Sequence, residues 1–124
     1  MPIKMILLFS WEFFQIIFKD VICLNNMNFE SFWKLIQKCN ETELVTLYQK
    51  KPFSFKYDVS HNSVEIIPNS KSPRASEKIK FEKVWDIAKQ SLSPFSVNQY
   101  SGITFNSSYI VAIMKYFLND DKIN

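Results

Sequence analysis

The residues with the clearest chemical potential are cationic and lie together. Lys71, Arg74, Lys78, Lys80 and Lys83 are interleaved with Ser70, Ser72 and Ser76 over little more than a dozen positions. Read as sequence, they run from a loop bounded by Pro68 and Pro73 into the first turns of an amphipathic helix that Ser76 would cap. Free backbone N–H groups and the helix dipole favour an anion at such a terminus, and a guanidinium adds a two-pronged donor for phosphate. Serine hydroxyls add donors that fix a nucleic-acid backbone without reading its sequence. The candidate nucleic-acid or anion-binding set is therefore Lys71, Arg74, Ser76, Lys78, Lys80 and Lys83. Charge counted along the chain agrees: residues 50–89 hold nine Lys/Arg against five acids, while the remainder holds six against seven. The competing reading is a solvated surface loop, because Glu77 and Glu82 dilute the field and Ser/Lys/Pro loops are soluble whatever they bind.

Catalytic constellations are sparse. His61, the one histidine, stands near Asp58 and Ser60, but at a hairpin tip where nothing in the sequence marks a pocket. A magnesium nuclease would want spaced acids followed by a lysine that supports the attacking water; Asp58 and Glu65 have a suitable gap, yet Ile67 occupies the lysine's place. Gly102 is the single glycine, which disfavours a P-loop, a dinucleotide fingerprint and a nucleophile elbow together. Cys23 and Cys39 lack metal-ligand spacing and read as reduced thiols used as apolar filler. With one histidine, a zinc site would need scattered carboxylates, so no metal and no cofactor are expected. Asn40 and Asn106 open Asn-x-Ser/Thr triplets that count only on a secretory route, which nothing else supports.

The elements that must hold the cationic set follow from periodicity. Phe53, Phe55, Tyr57 and Val59 alternate with Ser54, Lys56 and Asp58, and Val64 and Ile66 answer them, predicting a hairpin over 52–67. A two-residue turn at His61-Asn62 would set Asp58 opposite Glu65, two like charges; a loop two residues longer sets Lys56 there, and is expected. Before the hairpin, Asn28 caps a helix over about 29–39 whose stripe is Phe29, Phe32, Trp33 and Ile36. Residues 42–49 fit a further helical turn or a short strand. After the basic loop, Phe81, Val84, Trp85, Ala88 and Leu92 trace a second helix ending near Ser91. A turn-rich connector follows, pinned to the core by Phe95, Val97, Tyr100 and Ile103. Asn106-Ser107-Ser108 then opens a last helix with Tyr109, Ile110, Ile113, Met114, Phe117 and Leu118 inward. The aromatics near the charge fall at core spacing; Tyr48 and Tyr100 are the freer ones for base stacking.

The first 26 residues stand apart. Leu7, Trp11, Phe14 and Phe18 make a broad apolar stripe opposite Glu12, Gln15 and Lys19, too short and interrupted for a span and without a cleavage site. The segment is an added helix, a membrane- or partner-facing helix, or translated upstream sequence with the start at Met27.

The runs Lys51-Pro52-Phe53, Val64-Glu65-Ile66-Ile67-Pro68, Ser72-Pro73-Arg74, Phe81-Glu82-Lys83-Val84-Trp85 and Ser108-Tyr109-Ile110-Val111-Ala112-Ile113 resemble a pattern in small uncharacterised bacterial proteins, some of them accessory to mobile elements. The resemblance covers most of the chain after Met27. It implies a bacterial, cytoplasmic setting and no activity.

The expectation is one α+β domain over 27–118: a small antiparallel sheet built on the 52–67 hairpin with about three helices on one face, and a frayed tail over 119–124. Its expected role is non-enzymatic binding of nucleic-acid phosphate. The alternatives are a protein-interaction, inhibitor or accessory module without nucleic-acid contact, and a membrane-peripheral protein anchored by residues 5–18.

Overall fold

Period-two alternation in the middle of the chain builds the sheet on which everything else packs. In the computed structural model, which describes residues 19–118, β1 (Thr42–Val45), β2 (Pro52–Asp58), β3 (Ser63–Pro68) and β4 (Arg74–Glu77) form one antiparallel sheet in the order β1-β2-β3-β4. Helices α1 (Phe29–Lys38), α2 (Lys78–Ala88) and α3 (Ser107–Leu118) complete the α+β architecture, with a single 3₁₀ turn at Val97–Tyr100. The amphipathic helix expected over 5–18 and the tail over 119–124 lie outside the described residues.

The hairpin has the longer loop. Lys56 faces Glu65 and Asp58 faces Ser63, leaving residues 59–62 as the loop, so opposite charges stand across the strands. Asn62 makes this loop possible without glycine. It takes a left-handed backbone with φ 47, and its side chain accepts from the Trp33 indole N–H at 3.1 Å and from the Tyr57 hydroxyl at 2.5 Å. The strand is shorter than the alternation implies: β2 stops at Asp58, and Val59 is 81% exposed in the loop.

Helix α1 begins as its sequence dictates. The Asn28 side chain accepts from the Ser31 N–H at 2.8 Å, Glu30 sits in the first turn, and Phe29, Phe32, Trp33 and Ile36 are buried. Residues 42–45 are strand, not helix, pairing with β2 from Thr42 opposite Phe55 to Val45 opposite Pro52. All inward strand residues lie on one face: Phe53, Phe55, Val64, Ile66 and Ser76 are buried there. The other face carries Glu43, Ser54, Lys56, Glu65, Ala75 and Glu77, partly or fully exposed, and its one buried member among these strands is Ser63, 3% exposed beside the hairpin loop.

The core between sheet and helices is aromatic. Phe32 stacks on Trp85 at 4.8 Å between centroids, and Phe53 meets Tyr109 edge-on at 5.0 Å. Helix α3 is buried from Tyr109 through Met114, including Val111 and Ala112 beside the expected stripe, so it runs through the middle of the packing. Residues 19–25 are helical ahead of α1, and Leu24 is 1% exposed within the core cluster, with Cys23 and Cys39 packed against it.

The connector before α3 is pinned as its apolar residues foretell: Phe95 and Tyr100 are buried, Val97 and Ile103 partly so. The Tyr100 hydroxyl donates to the Pro94 carbonyl, and burial pushes its pKa up to about 12. Leu92 does not continue the α2 stripe, because the helix ends at Ala88 and leaves Leu92 78% exposed. Among the described residues no helix is long and apolar enough to cross a membrane.

Candidate anion-binding site

The basic segment does not fold as a loop running into a capped helix. Its centre, Arg74–Glu77, is strand β4, paired with β3 from Ser63 opposite Glu77 to Ile66 opposite Arg74. Pro73 keeps Ser72 extended, and the open edge of β3 offers the next residues hydrogen-bond partners, so the chain joins the sheet. Helix α2 then starts directly at Lys78 with Glu77 as N-cap, whose side chain makes no capping hydrogen bond. Ser76 is therefore not the cap. It faces the core opposite Val64, 3% exposed, and its Oγ has no hydrogen-bond partner among the described residues.

This rearrangement sorts the six candidates. Ser76 points inward. Lys78 turns toward α1, its ammonium 3.4 Å from the Glu30 carboxylate. Lys71 and Lys83 are exposed. Arg74 and Lys80 come together on one cleft of about 560 Å³, whose other wall is the chain from Ser101 to Asn106.

Both cations are held by that wall. The Arg74 guanidinium lies 5.6 Å from the centre of the Tyr109 ring and donates from Nη1 to Asn106 Oδ1 at 3.4 Å. The Lys80 ammonium donates to the Ile103 carbonyl at 3.1 Å. Each contact uses one donor of a group that has several, five for a guanidinium and three for an ammonium, so both keep donors for a ligand. Neither has a carboxylate partner among the described residues, in contrast to Lys78 and to Lys115, which lies 4.0 Å from Asp20.

The cleft lining includes Ser72, Ser101 and Thr104 and no Asp, Glu, His or Cys. It has hydrogen-bond donors and positive charge for an anion, and no carboxylate, imidazole or thiol in its lining. A Cβ added at Gly102 would meet nothing within 4 Å, so the rim is open there.

Sequence reasoning missed one member of the site. Phe105, 97% exposed, stands on the cleft wall between the residues that Lys80 and Arg74 hold. Its signal was present, since it sits just before the α3 start signal and outside that helix's apolar periodicity. Tyr100, named for stacking, is fully buried; Tyr48 is 64% exposed but its hydroxyl donates to the Phe95 carbonyl at 3.1 Å, away from the cations. There a second cleft of about 400 Å³, lined by residues such as Thr46, Tyr48 and Asn98, is neutral.

The His61 constellation does not assemble a triad. His61 Nδ1 lies 2.8 Å from Asp58 Oδ2, and Ser60 meets the same carboxylate through its backbone N–H at 3.0 Å, not through its hydroxyl. The His61 hydrogen bond, foremost, holds the Asp58 pKa below its ordinary value. The His61 side chain is 78% exposed at the hairpin tip. Among the described residues no three His, Cys, Asp or Glu side chains converge as a metal ion would require.

The fold and cleft thus define a small α+β domain with a positively charged, acid-free groove at one sheet edge. No family model, no curated protein and no solved structure matches the chain.

Proposed function

We propose that this protein is a non-enzymatic module that binds nucleic acid through phosphate, gripping it with Arg74 and Lys80. The observation that carries the reading is the convergence of these two cations, both without a carboxylate partner among the described residues, on a cleft whose lining has no acid. Anchoring by the wall reduces the side-chain freedom that phosphate binding would otherwise have to take away. Lys83, three residues on from Lys80 along α2, and Lys71, one residue before Ser72, extend the positive surface on either side.

Anisotropy of a labelled oligonucleotide with the full chain tests it. Affinity is expected to fall with salt at a log–log slope of about −0.7 to −0.9 per phosphate neutralised, so about −1.4 to −1.8 for two. Gly102→Glu adds a carboxylate at the open rim, where a Cβ meets nothing within 4 Å, and is expected to weaken binding to every sequence alike. Wild-type protein that binds no oligonucleotide at about 50 mM salt would dispose of the proposal.

A second reading, a protein-interaction or accessory module, draws support from the outer sheet face, where among the described residues most strand side chains are partly or fully exposed and Val45 is 46% exposed. A stoichiometric partner retained at high salt would favour it. The membrane-peripheral reading rests on residues 5–18, outside the described residues, and flotation of the full chain with liposomes tests it.

A further inference from the structure

Phe105 is the most exposed large apolar side chain among the described residues, and it is displayed by a tightly bonded loop. The Ile103 and Thr104 N–H groups both donate to the Tyr100 carbonyl, at 2.9 and 3.3 Å. The Asn106 N–H donates to Thr104 Oγ1 at 3.0 Å, closing a turn whose central residue is Phe105. Beyond it, the Asn106 carbonyl accepts from Tyr109 and Ile110 at 3.0 Å each, opening α3. The backbone on both sides of the ring is thus bonded, and the ring stands in solvent at 97% exposure.

The two cations grip this same loop. Lys80 bonds the carbonyl two residues before Phe105 and Arg74 bonds the side chain one residue after it. An aromatic face and the anchors of two cations therefore share four consecutive residues, 103–106. Duplex DNA or RNA offers phosphates to the cations, but its bases are stacked on one another and unavailable to a side chain at the rim. An unpaired strand offers both, a phosphate and a free base within one nucleotide. Phe105 buries almost none of its surface among the described residues; beside cations it has the composition of a sequence-tolerant stacking platform.

Resting on the phosphate-binding reading above, we infer that the ligand is single-stranded nucleic acid, with one base stacked on Phe105 while its flanking phosphate is held by Arg74 and Lys80.

The test measures anisotropy of the full chain and its variants on three labelled probes of equal charge: oligo(dT), the same backbone without bases, and a duplex. Wild-type protein is expected to bind oligo(dT) tighter than either of the others. Phe105→Ala is expected to lose about 5- to 150-fold on oligo(dT), the range for one base–aromatic stack, and to leave the abasic probe unchanged. Phe105→Trp restores the affinity. The ring is exposed, so both variants should fold, which circular dichroism confirms. Equal affinity of wild-type protein for oligo(dT) and the abasic strand overturns the stacking assignment alone and leaves phosphate binding standing. Tighter binding to the duplex does the same. If no probe binds, both proposals fall. A protein partner retained by the wild type and lost in Phe105→Ala, with no probe bound, would assign the ring to a protein interface instead.

Discussion

Replacing Ser76 by alanine is expected to raise the stability of this domain, whereas a serine that caps a helix lowers it when removed. Ser76 is 3% exposed on the core face of β4, opposite Val64, and its Oγ has no hydrogen-bond partner among the described residues. A buried hydroxyl left unpaired costs about 1–3 kcal/mol. Against this, alanine is a poor strand residue on a scale spanning about 1 kcal/mol, and the lost oxygen leaves a small gap. The net expectation is a gain of roughly 1 kcal/mol from the balance of these. Had Ser76 been the N-cap, the same change would cost about 1 kcal/mol, so the two accounts differ in sign. Urea denaturation reads the difference: with a slope of about 1–3 kcal/mol per M, the midpoint should move up by roughly 0.5 M. Glu77→Ala is the control, since the residue at the N-cap makes no side-chain capping bond, and it should change stability by less than about 0.5 kcal/mol. A midpoint that moves down for Ser76→Ala would refute the reasoning, because it would mean that the hydroxyl is satisfied in solution.

Two further changes probe the hairpin. Asn62→Ala deprives the buried Trp33 indole of its acceptor and puts alanine at φ 47; it should cost about 2–3 kcal/mol in urea denaturation, and Asn62→Gly less, because glycine accepts that backbone. At the tip, His61 lowers the Asp58 pKa below 3.8, so the carboxylate's contribution is complete above that value and is lost as pH falls through the lower, folded one. Carbon-detected NMR titration of Asp58 should therefore move its midpoint upward in His61→Ala, with stability differing between the two proteins only above the folded value; an unmoved midpoint would contradict the hydrogen bond. The oligonucleotide measurements on Gly102→Glu and Phe105→Ala complete the set.

What was legible in the sequence is what local periodicity and chemistry determine. Asn28 announces α1, and its i, i+3, i+4, i+7 aromatics are buried as spaced. The like-charge clash of Asp58 with Glu65 was enough to select the four-residue loop, because cross-strand neighbours stand about 5 Å apart and their charges must agree. The same rules misread Arg74–Glu77, since four residues carry too little alternation to mark a strand, and nothing local records that β3 has an open edge awaiting a partner. They also placed Leu92 and Val59 inside by extending a pattern past the point where the element ends.

The candidate site shows the same division. Sequence alone determined that cations cluster between Lys71 and Lys83 in a chain whose glycine, cysteine and histidine counts leave little room for common catalytic motifs. Only the tertiary structure decided which of them line the cleft. Pairing β4 with β3 turns Ser76 inward, leaves Lys78 to Glu30, and brings Arg74 beside Lys80 against a loop about thirty residues further on, where Phe105 stands. The physical reason is that a side chain's partner is set by the neighbours across the sheet and the connector folded over its edge, and those contacts span distances along the chain that no local period encodes.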